Sequence, residues 1–318
     1  MKVIYLLLYG LGYLISLLPL RVLYLLSDLL YFPLYYVVRY RRRIVRRNLT
    51  DSFPEKDAGE IVRIEKGFYH FFCDYVVETL KQLSMPHSEM RRRMTFSGTE
   101  DMLHDMDEAG TQFCFVYLGH YCNWEWIASL PFSFDDSVAC GQIYHPLYNK
   151  FFDNLFLKMR SQYGALCIPM KETLRKIIQM KRTGKKIVIG FIADQAPKWN
   201  SIHHFTPFLN HDTPVFIGTE KLGRQMNAVI YFADVTRVKR GYYHTHFVRM
   251  TENIGKIPEF RLTDMYMEHL ERMIRRAPQY WLWSHNRWKR TRQEWEERMK
   301  EQQEKEAHTP PHTSTNSN

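Results

Sequence analysis

Two side chains that can do acid–base chemistry stand five residues apart in this sequence. His120 and Glu125 belong to the segment 119–125 (GHYCNWE), which lies between a β-like apolar run and a helix-like one. On a continuous α-helix, residues five apart point about 140° away from each other, so both cannot be helical and still meet. We therefore expect His120 in a loop and Glu125 in the first turn of a helix capped by Asn123. The two side chains would then form a hydrogen bond.

The chemistry of such a pair follows from its ionisation. A neutral imidazole can take a proton from a hydroxyl, while an ionised carboxylate fixes its tautomer and stabilises the imidazolium that results. The pair predicts general-base catalysis. The H-x4-E spacing alone is also compatible with a loop histidine bonded to a carbonyl beside an unrelated helical glutamate.

Apolar runs alternate with amphipathic stretches, which predicts an α/β fold with a mostly parallel central sheet flanked by helices. The predicted strands are Gln112 to Leu118, Val138 to Ile143, Lys186 to Ala193, Ala228 to Val235 and Tyr243 to Met250. The predicted helices are 59 to 82, Asn149 to Tyr163, Lys171 to Arg182, Val215 to Gln225 and Leu262 to Arg276. Ligands of such sheets bind at the carboxyl ends of the strands, which would allow Asp194 and Gln195 to share one crevice with His120. An ordinary turn, with Asp194 at a strand exit ahead of Pro197, fits the same residues.

The composition indicates an anionic partner. Of 318 residues, 45% are hydrophobic and 15% aromatic, and 44 Lys and Arg outnumber 34 Asp and Glu. A net charge of +10 suits nucleic acid, a phospholipid surface, a phosphorylated substrate or an acidic carrier protein. Aromatic residues among basic ones occur both at membrane interfaces and in proteins that bind single-stranded nucleic acid.

The N-terminus favours a membrane over nucleic acid. Residues 3 to 20 carry no charge, and residues 22 to 38 carry only Asp28. This length reaches the lower limit of a membrane span, and no signal-cleavage site follows, so we expect an uncleaved anchor. The six arginines between Arg39 and Arg47 predict that the body faces the cytoplasm. A helix lying within one leaflet, or a pair of buried core helices, would fit the same pattern.

Neither thiol nor metal chemistry is indicated. The five cysteines form no CxxC pair, which predicts reduced thiols. No metal is expected, because His203-His204 and His244-x-His246 lack a third ligand at suitable spacing.

Four ordered segments resemble one family. GHYCNWE at 119–125 resembles the GHxxNWE form of the H-x4-D/E motif in the lipid A biosynthesis branch of the lysophospholipid acyltransferase superfamily. The segment 143–149 (IYHPLYN) is similar to its Y-R-P-x-x-N segment, and 193–195 (ADQ) with 205–208 (FTPF) to its second block. Residues 277–289 (APQYWLWSHNRWK) are similar to its C-terminal signature. The likeness covers residues 40 to 290.

The resemblance implies a glycerolipid acyltransferase-like fold and acyl transfer from an acyl carrier protein thioester to a hydroxyl of a lipid A precursor. His120 would be the base and Glu125 its orienting acid, with direct attack on the thioester, no acyl-enzyme and no cofactor beyond the acyl donor. The protein would act at the cytoplasmic face of the bacterial inner membrane. Residues 1–38 would be the anchor, 39–290 the acyltransferase domain, and 291–318 a charged helix and a disordered tail.

The resemblance also implies a set of substrate-binding residues. These are Asn123, Tyr144, His145, Arg160, Asp194, Gln195, His285 and Arg287. His145 and Asn286 stand where the family commonly has arginine, which puts the identity of the acceptor and of the carrier in doubt. Another lysolipid, such as a lysophospholipid or aminolipid, is the alternative acceptor. A non-catalytic membrane-surface binding protein is a second alternative, and nucleic-acid binding is disfavoured by the apolar N-terminus.

Overall fold

The computed structural model describes residues 2–308, which form eleven α-helices and nine strands. The helices are α1 (Lys2–Leu17), α2 (Leu20–Phe32), α3 (Arg42–Ser52), α4 (Ala58–Lys81), α5 (His87–Arg93), α6 (Thr99–Glu108), α7 (Lys150–Ser161), α8 (Thr173–Lys181), α9 (Gly218–Met226), α10 (Arg261–Arg276) and α11 (Arg292–His308). The strands are β1 (Met94–Ser97), β2 (Phe113–Leu118), β3 (Val138–Tyr144), β4 (Leu166–Pro169), β5 (Lys186–Ile192), β6 (Phe205–Phe208), β7 (His211–Pro214), β8 (Val229–Lys239) and β9 (Tyr242–Thr251).

Seven strands form one sheet in the order β1-β9-β8-β2-β5-β3-β4, and only the β8–β9 pair is antiparallel. All six residues of β2 are buried, because helices cover both faces of the sheet. The predicted fold class, a mostly parallel sheet flanked by helices, is confirmed.

All five predicted strands and all five predicted helices are present, but the sequence patterns missed four strands and the helices α3, α5 and α6. β1, β4, β6 and β7 have four residues each, too few for a period of two to be read reliably. The α-helix predicted after Asn123 was wrong. The segment Trp126–Ser133 is a 3₁₀ helix containing Pro131, and Glu125 precedes it.

The first two helices pack on the body instead of standing apart from it. Pro19 separates α1 from α2, so the uncharged run 3 to 20 is not one helix. In the described chain, one helical stretch, Leu20–Val37, is long and apolar enough to cross a membrane, and 22% of it is buried. Its buried side faces α4. Tyr24 of α2 donates to Glu78 of α4, and Ser27 of α2 donates to Asp74 of α4.

Four of the six arginines between positions 39 and 47 bind groups of the body. Arg41 donates to the Ser284 carbonyl and Arg47 to the Asn286 side chain, while Arg42 and Arg46 both pair with the buried Glu65. Much of this charge therefore serves to attach α3 to α4 and to the C-terminal segment.

The predicted charged C-terminal segment forms α11. Residues 309–318, the remainder of the predicted tail, lie outside the described residues. The segment 205–208 forms β6, which pairs with β7 and buries Phe205 and Phe208.

Candidate functional site

The sheet topology brings His120 and Asp194 side by side. Strands β2 and β5 are parallel neighbours, and Leu118 pairs with Ile192 in their register. His120 and Asp194 each follow two residues later, so both emerge at the same carboxyl edge of the sheet. This edge is where α/β folds bind their ligands.

The two side chains form a closely hydrogen-bonded pair. Nδ1 of His120 lies 2.6 Å from Oδ1 of Asp194, and the His120 amide donates to Oδ2 at 2.8 Å. The indole of Trp281 donates to the same Oδ2 at 2.8 Å. The Asp194 side chain is 2% exposed and that of His120 is 18% exposed, so the carboxylate is sealed while the imidazole retains contact with solvent.

The electrostatics of the pair set the tautomer of the imidazole. Burial raises the pKa of Asp194, but the charge of His120 and the hydrogen bonds from His120 and Trp281 outweigh it and lower the pKa to about 2. An ionised Asp194 accepts the Nδ1 proton, which leaves the lone pair on Nε2. The Gln195 amide nitrogen lies 3.3 Å from that Nε2.

A tight turn after β2 aims His120 at Asp194. Cys122 adopts a left-handed conformation with φ 51°, and its amide donates to the Tyr280 carbonyl at 3.0 Å. The Leu282 amide donates to the His120 carbonyl at 3.2 Å. The turn is thereby attached to the C-terminal segment that carries Trp281.

The predicted hydrogen bond between His120 and Glu125 was wrong. Glu125 is 4% exposed and accepts two hydrogen bonds from the Arg160 guanidinium, at 2.7 and 2.6 Å. The reason is the conformation of the segment: the turn directs His120 toward β5, while Glu125 at the start of the 3₁₀ helix points to α7. The catalytic role of Glu125 stays a prediction.

Arg160, predicted to bind substrate, is the ion-pair partner of Glu125. Burial lowers the pKa of Arg160, but the hydrogen bonds and charge of Glu125 together raise it by more, so the net shift is upward. The guanidinium also lies 5.1 Å from the centre of the Phe156 ring. Two of its donors are thus engaged with a buried carboxylate.

Asn123 is fully buried and holds the turn from within. Its side-chain oxygen accepts from the Trp126 amide at 3.3 Å, as expected of a cap, and its nitrogen donates to Glu78 at 2.8 Å. Glu78 also accepts hydrogen bonds from Tyr24 of α2 and Tyr243 of β9, each at 2.8 Å. Burial raises the pKa of Glu78, and the three hydrogen bonds, which lower it, offset only part of this shift.

Glu78 was not singled out from the sequence. The available signal was its position on α4, four residues after Asp74 in the apolar run 71–77 that both acids interrupt or follow. Buried acids at this spacing need partners from other elements. The partners of Glu78 come from three elements that no local pattern connects.

Tyr144 and His145 lie at the end of β3. His145 is exposed and its Nδ1 lies 2.9 Å from the Pro146 carbonyl. Burial raises the pKa of Tyr144, and the charge of Asp153 adds to this shift. In the part of the chain that the structure describes, no hydrogen bond or ring contact joins Tyr144 or His145 to His120.

His285 and Arg287 take different positions from those expected. Burial lowers the pKa of His285 to about 4, and its Nδ1 has no hydrogen-bond partner in the described chain. Arg287 is fully buried and donates to the Pro214 carbonyl at 2.7 Å. Burial lowers the pKa of Arg287 to about 10, while Asp194 acts against this shift. Arg287 is thus sealed from solvent, and its charge interacts with that of Asp194.

We expect His285 to make the fold sensitive to mild acid. Well above pH 6.5 the imidazole is neutral in both states, but at lower pH the unfolded chain takes the proton first, so stability falls until about pH 4. Between about pH 7 and about pH 5 the free energy of unfolding should drop by about 2 kcal/mol from this residue. Urea unfolding of the wild type and of His285→Asn at both pH values measures it. An identical loss in the variant would contradict the assignment.

The Cys122 side chain is fully buried, and burial raises the pKa of its thiol well above the usual range. It is therefore held as the neutral thiol beside His120. All five cysteines are free, and Cys122 is not equipped as a nucleophile.

The parallel sheet, with a hydrogen-bonded histidine and carboxylate at its carboxyl edge, defines an α/β enzyme fold able to activate a hydroxyl by general-base catalysis. Residues 2–290 match the family described as bacterial lipid A biosynthesis acyltransferase. Because the match covers most of the chain, the protein belongs to this family of acyltransferases, as the sequence motifs predicted. The comparison with curated proteins finds no match.

Proposed function

We propose that this acyltransferase moves a fatty acyl chain from an acyl carrier protein thioester to a hydroxyl of a lipid A precursor, at the cytoplasmic face of the inner membrane. The observation that carries the proposal is the His120–Asp194 pair in a member of this family. The buried carboxylate lies 2.6 Å from Nδ1, so the proposal places the imidazole proton on Nδ1 and makes Nε2 of the 18% exposed imidazole the proton acceptor.

In this mechanism the acceptor hydroxyl takes the place of the Gln195 amide at Nε2 of His120. Nε2 removes the hydroxyl proton while the oxygen attacks the thioester carbonyl, and Asp194 stabilises the imidazolium. The tetrahedral intermediate then collapses, the C–S bond breaks, and His120 returns the proton to the leaving sulfur. The products are an ester and a free carrier thiol.

The turn supplies candidates for the oxyanion site. The amides of His120, Tyr121 and Cys122 are already hydrogen-bonded. Among the described residues, the amides at 123–125 donate to no protein acceptor. We propose that one or more of them stabilises the oxyanion, a contribution of about 3 kcal/mol per donor. Glu125 and Arg160 would keep this part of the turn rigid.

The N-terminal helices support a location at the membrane. Large apolar side chains are exposed along them, including Leu14 at 64%, Leu25 at 64% and Leu29 at 71%. Because α2 is hydrogen-bonded to α4, we propose that the helical pair lies on the bilayer with one face in lipid and the other on the body. The net charge of +10 would attract both anionic lipid and the acidic carrier protein.

The experiment is acyl transfer by the purified full-length protein in detergent. It is supplied with acyl carrier proteins bearing different chains, together with lipid A precursors or with lysophospholipid as the alternative acceptor. Mass spectrometry should find a precursor heavier by one acyl chain and ester-linked. Transfer to lysophospholipid alone would contradict the proposed acceptor, and no transfer from any thioester would contradict the proposed donor.

A further inference from the structure

A second exposed apolar surface lies on residues 147–185, which contain α7, β4 and α8 and are called the basic lobe here. Beyond the first 40 residues, nine large apolar side chains are exposed in the described chain, and seven of them belong to this lobe. They are Leu147, Tyr148, Phe152, Leu166, Met170, Leu174 and Ile178. Such a concentration on one segment marks an interaction surface.

Helix α8 carries two of these exposed apolar side chains. Leu174 and Ile178 are one turn apart and each is 44% exposed. Ile177 and Met180, which point roughly 60° to 160° away from them around the helix, are buried in the core. α8 thus has a wide apolar face, and the body covers only part of it.

The lobe is also strongly positive. Its 39 residues contain nine Lys and Arg and two acids. The basic residues are Lys150, Lys158, Arg160, Lys171, Arg175, Lys176, Lys181, Arg182 and Lys185, of which Arg160 is paired with the buried Glu125 and Arg175 with Glu172. Lysines and arginines around exposed aliphatic and aromatic side chains are typical of surfaces that bind anionic bilayers.

The lobe is continuous with the N-terminal helices. The Tyr5 ring of α1 stacks on Phe151 with 4.9 Å between ring centres, and its hydroxyl accepts from Asn149 at 3.0 Å. The Tyr9 hydroxyl accepts from Lys158 at 3.2 Å. α1 and α7 therefore contribute to one surface.

We propose that the basic lobe is a second contact with an anionic phospholipid bilayer, adjoining the contact made by α1 and α2. The inference rests on the membrane location proposed above but not on acyl transfer. An acidic carrier protein would bind mainly through charge complementarity, which does not account for seven exposed apolar side chains. A bilayer uses both: the apolar groups enter the interface and the cations meet the phosphates.

The test uses the full-length protein in nanodiscs of phosphatidylcholine mixed with phosphatidylglycerol and a photoactivatable phospholipid. Cross-linked peptides should come from residues 166–182 as well as from α1 and α2. In the double variant Leu174→Glu/Ile178→Glu, cross-links to 166–182 should fall about tenfold, since two exposed apolar side chains that enter the bilayer interface in the proposal become negative charges that anionic lipid repels. Cross-links to α1 and α2 should be retained.

Gln225→Glu is the matched control, because it adds the same acid to an exposed position of α9, a helix that packs on β2. It should leave every cross-link unchanged, and both altered α8 positions are exposed, so melting temperatures should match the wild type. Cross-links confined to α1 and α2 would overturn the proposal. So would a lobe that cross-links to acyl carrier protein in detergent and not to lipid. Neither result depends on whether the protein transfers acyl chains.

Discussion

Removing the imidazole of His120 or the charge of Asp194 is expected to reduce acyl transfer by about 10³- to 10⁴-fold, and removing both should cost no more than removing one. The variants are His120→Ala, Asp194→Asn and their combination. The two side chains act as one unit, because the 2.6 Å hydrogen bond between them keeps the proton on Nδ1.

The asparagine substitution tests this tautomer directly. An amide at position 194 can donate to Nδ1, which moves the imidazole proton to Nε2 and removes the base. The measurement is kcat/KM for transfer from a labelled acyl thioester, with melting temperatures to show that each variant is folded. Asp136→Asn makes the same change at an exposed position and should leave kcat/KM unaltered.

Two results would contradict this assignment. Wild-type turnover in a folded Asp194→Asn variant would show that Asp194 does not orient the base. A strictly additive loss in the double variant would show that His120 and Asp194 work independently.

The second large effect is expected on stability, at the buried ion pair of Glu125 and Arg160. Glu125→Gln should lower the free energy of unfolding by about 3–5 kcal/mol, because it leaves a mostly buried guanidinium without a counter-charge. Arg160→Gln should lower the free energy of unfolding by a similar amount, because it leaves the buried Glu125 carboxylate without a counter-charge. The double variant Glu125→Gln/Arg160→Gln should recover most of the loss, since two amides can bond to each other.

Urea unfolding in detergent measures all three variants. Glu172→Gln is the control: it breaks the exposed pair with Arg175, whose side chains are 39% and 65% exposed, and should change stability by less than about 1 kcal/mol. If Glu125→Gln is instead as stable as the wild type but inactive, Glu125 acts in catalysis, as the H-x4-E motif predicts, and not through Arg160.

Local patterns predicted the secondary structure well because each predicted element is long enough to show its period. The core strand β2 is a continuous apolar run, as expected of a strand covered on both faces. From the order of strands and helices alone, His120 and Asp194 could be placed at the same edge of a parallel sheet. The four ordered motifs of the sequence also predicted the acyltransferase family, which the match over residues 2–290 confirms.

The pairing of the charged groups could not be predicted in the same way. Two candidate partners for His120 are Glu125, five residues away, and Asp194, 74 residues away, and the sequence motif favours Glu125 as the hydrogen-bond partner. Which of them it binds depends on the direction of a turn in which a non-glycine residue, Cys122, adopts a positive φ. Glycine is the usual residue at a positive φ, and position 122 does not have one.

By itself, the sequence determined the α/β class, the family, the apolar N-terminus and the histidine at the end of a core strand. These features depend on local periodicity and on residue type, which a linear chain displays. Only the tertiary structure decided that Asp194 holds His120, that Arg160 holds Glu125, and that Asn123 and Arg287 are buried supports. Each of these depends on contacts between distant elements, and the cost of burying a charge without a partner selects among them.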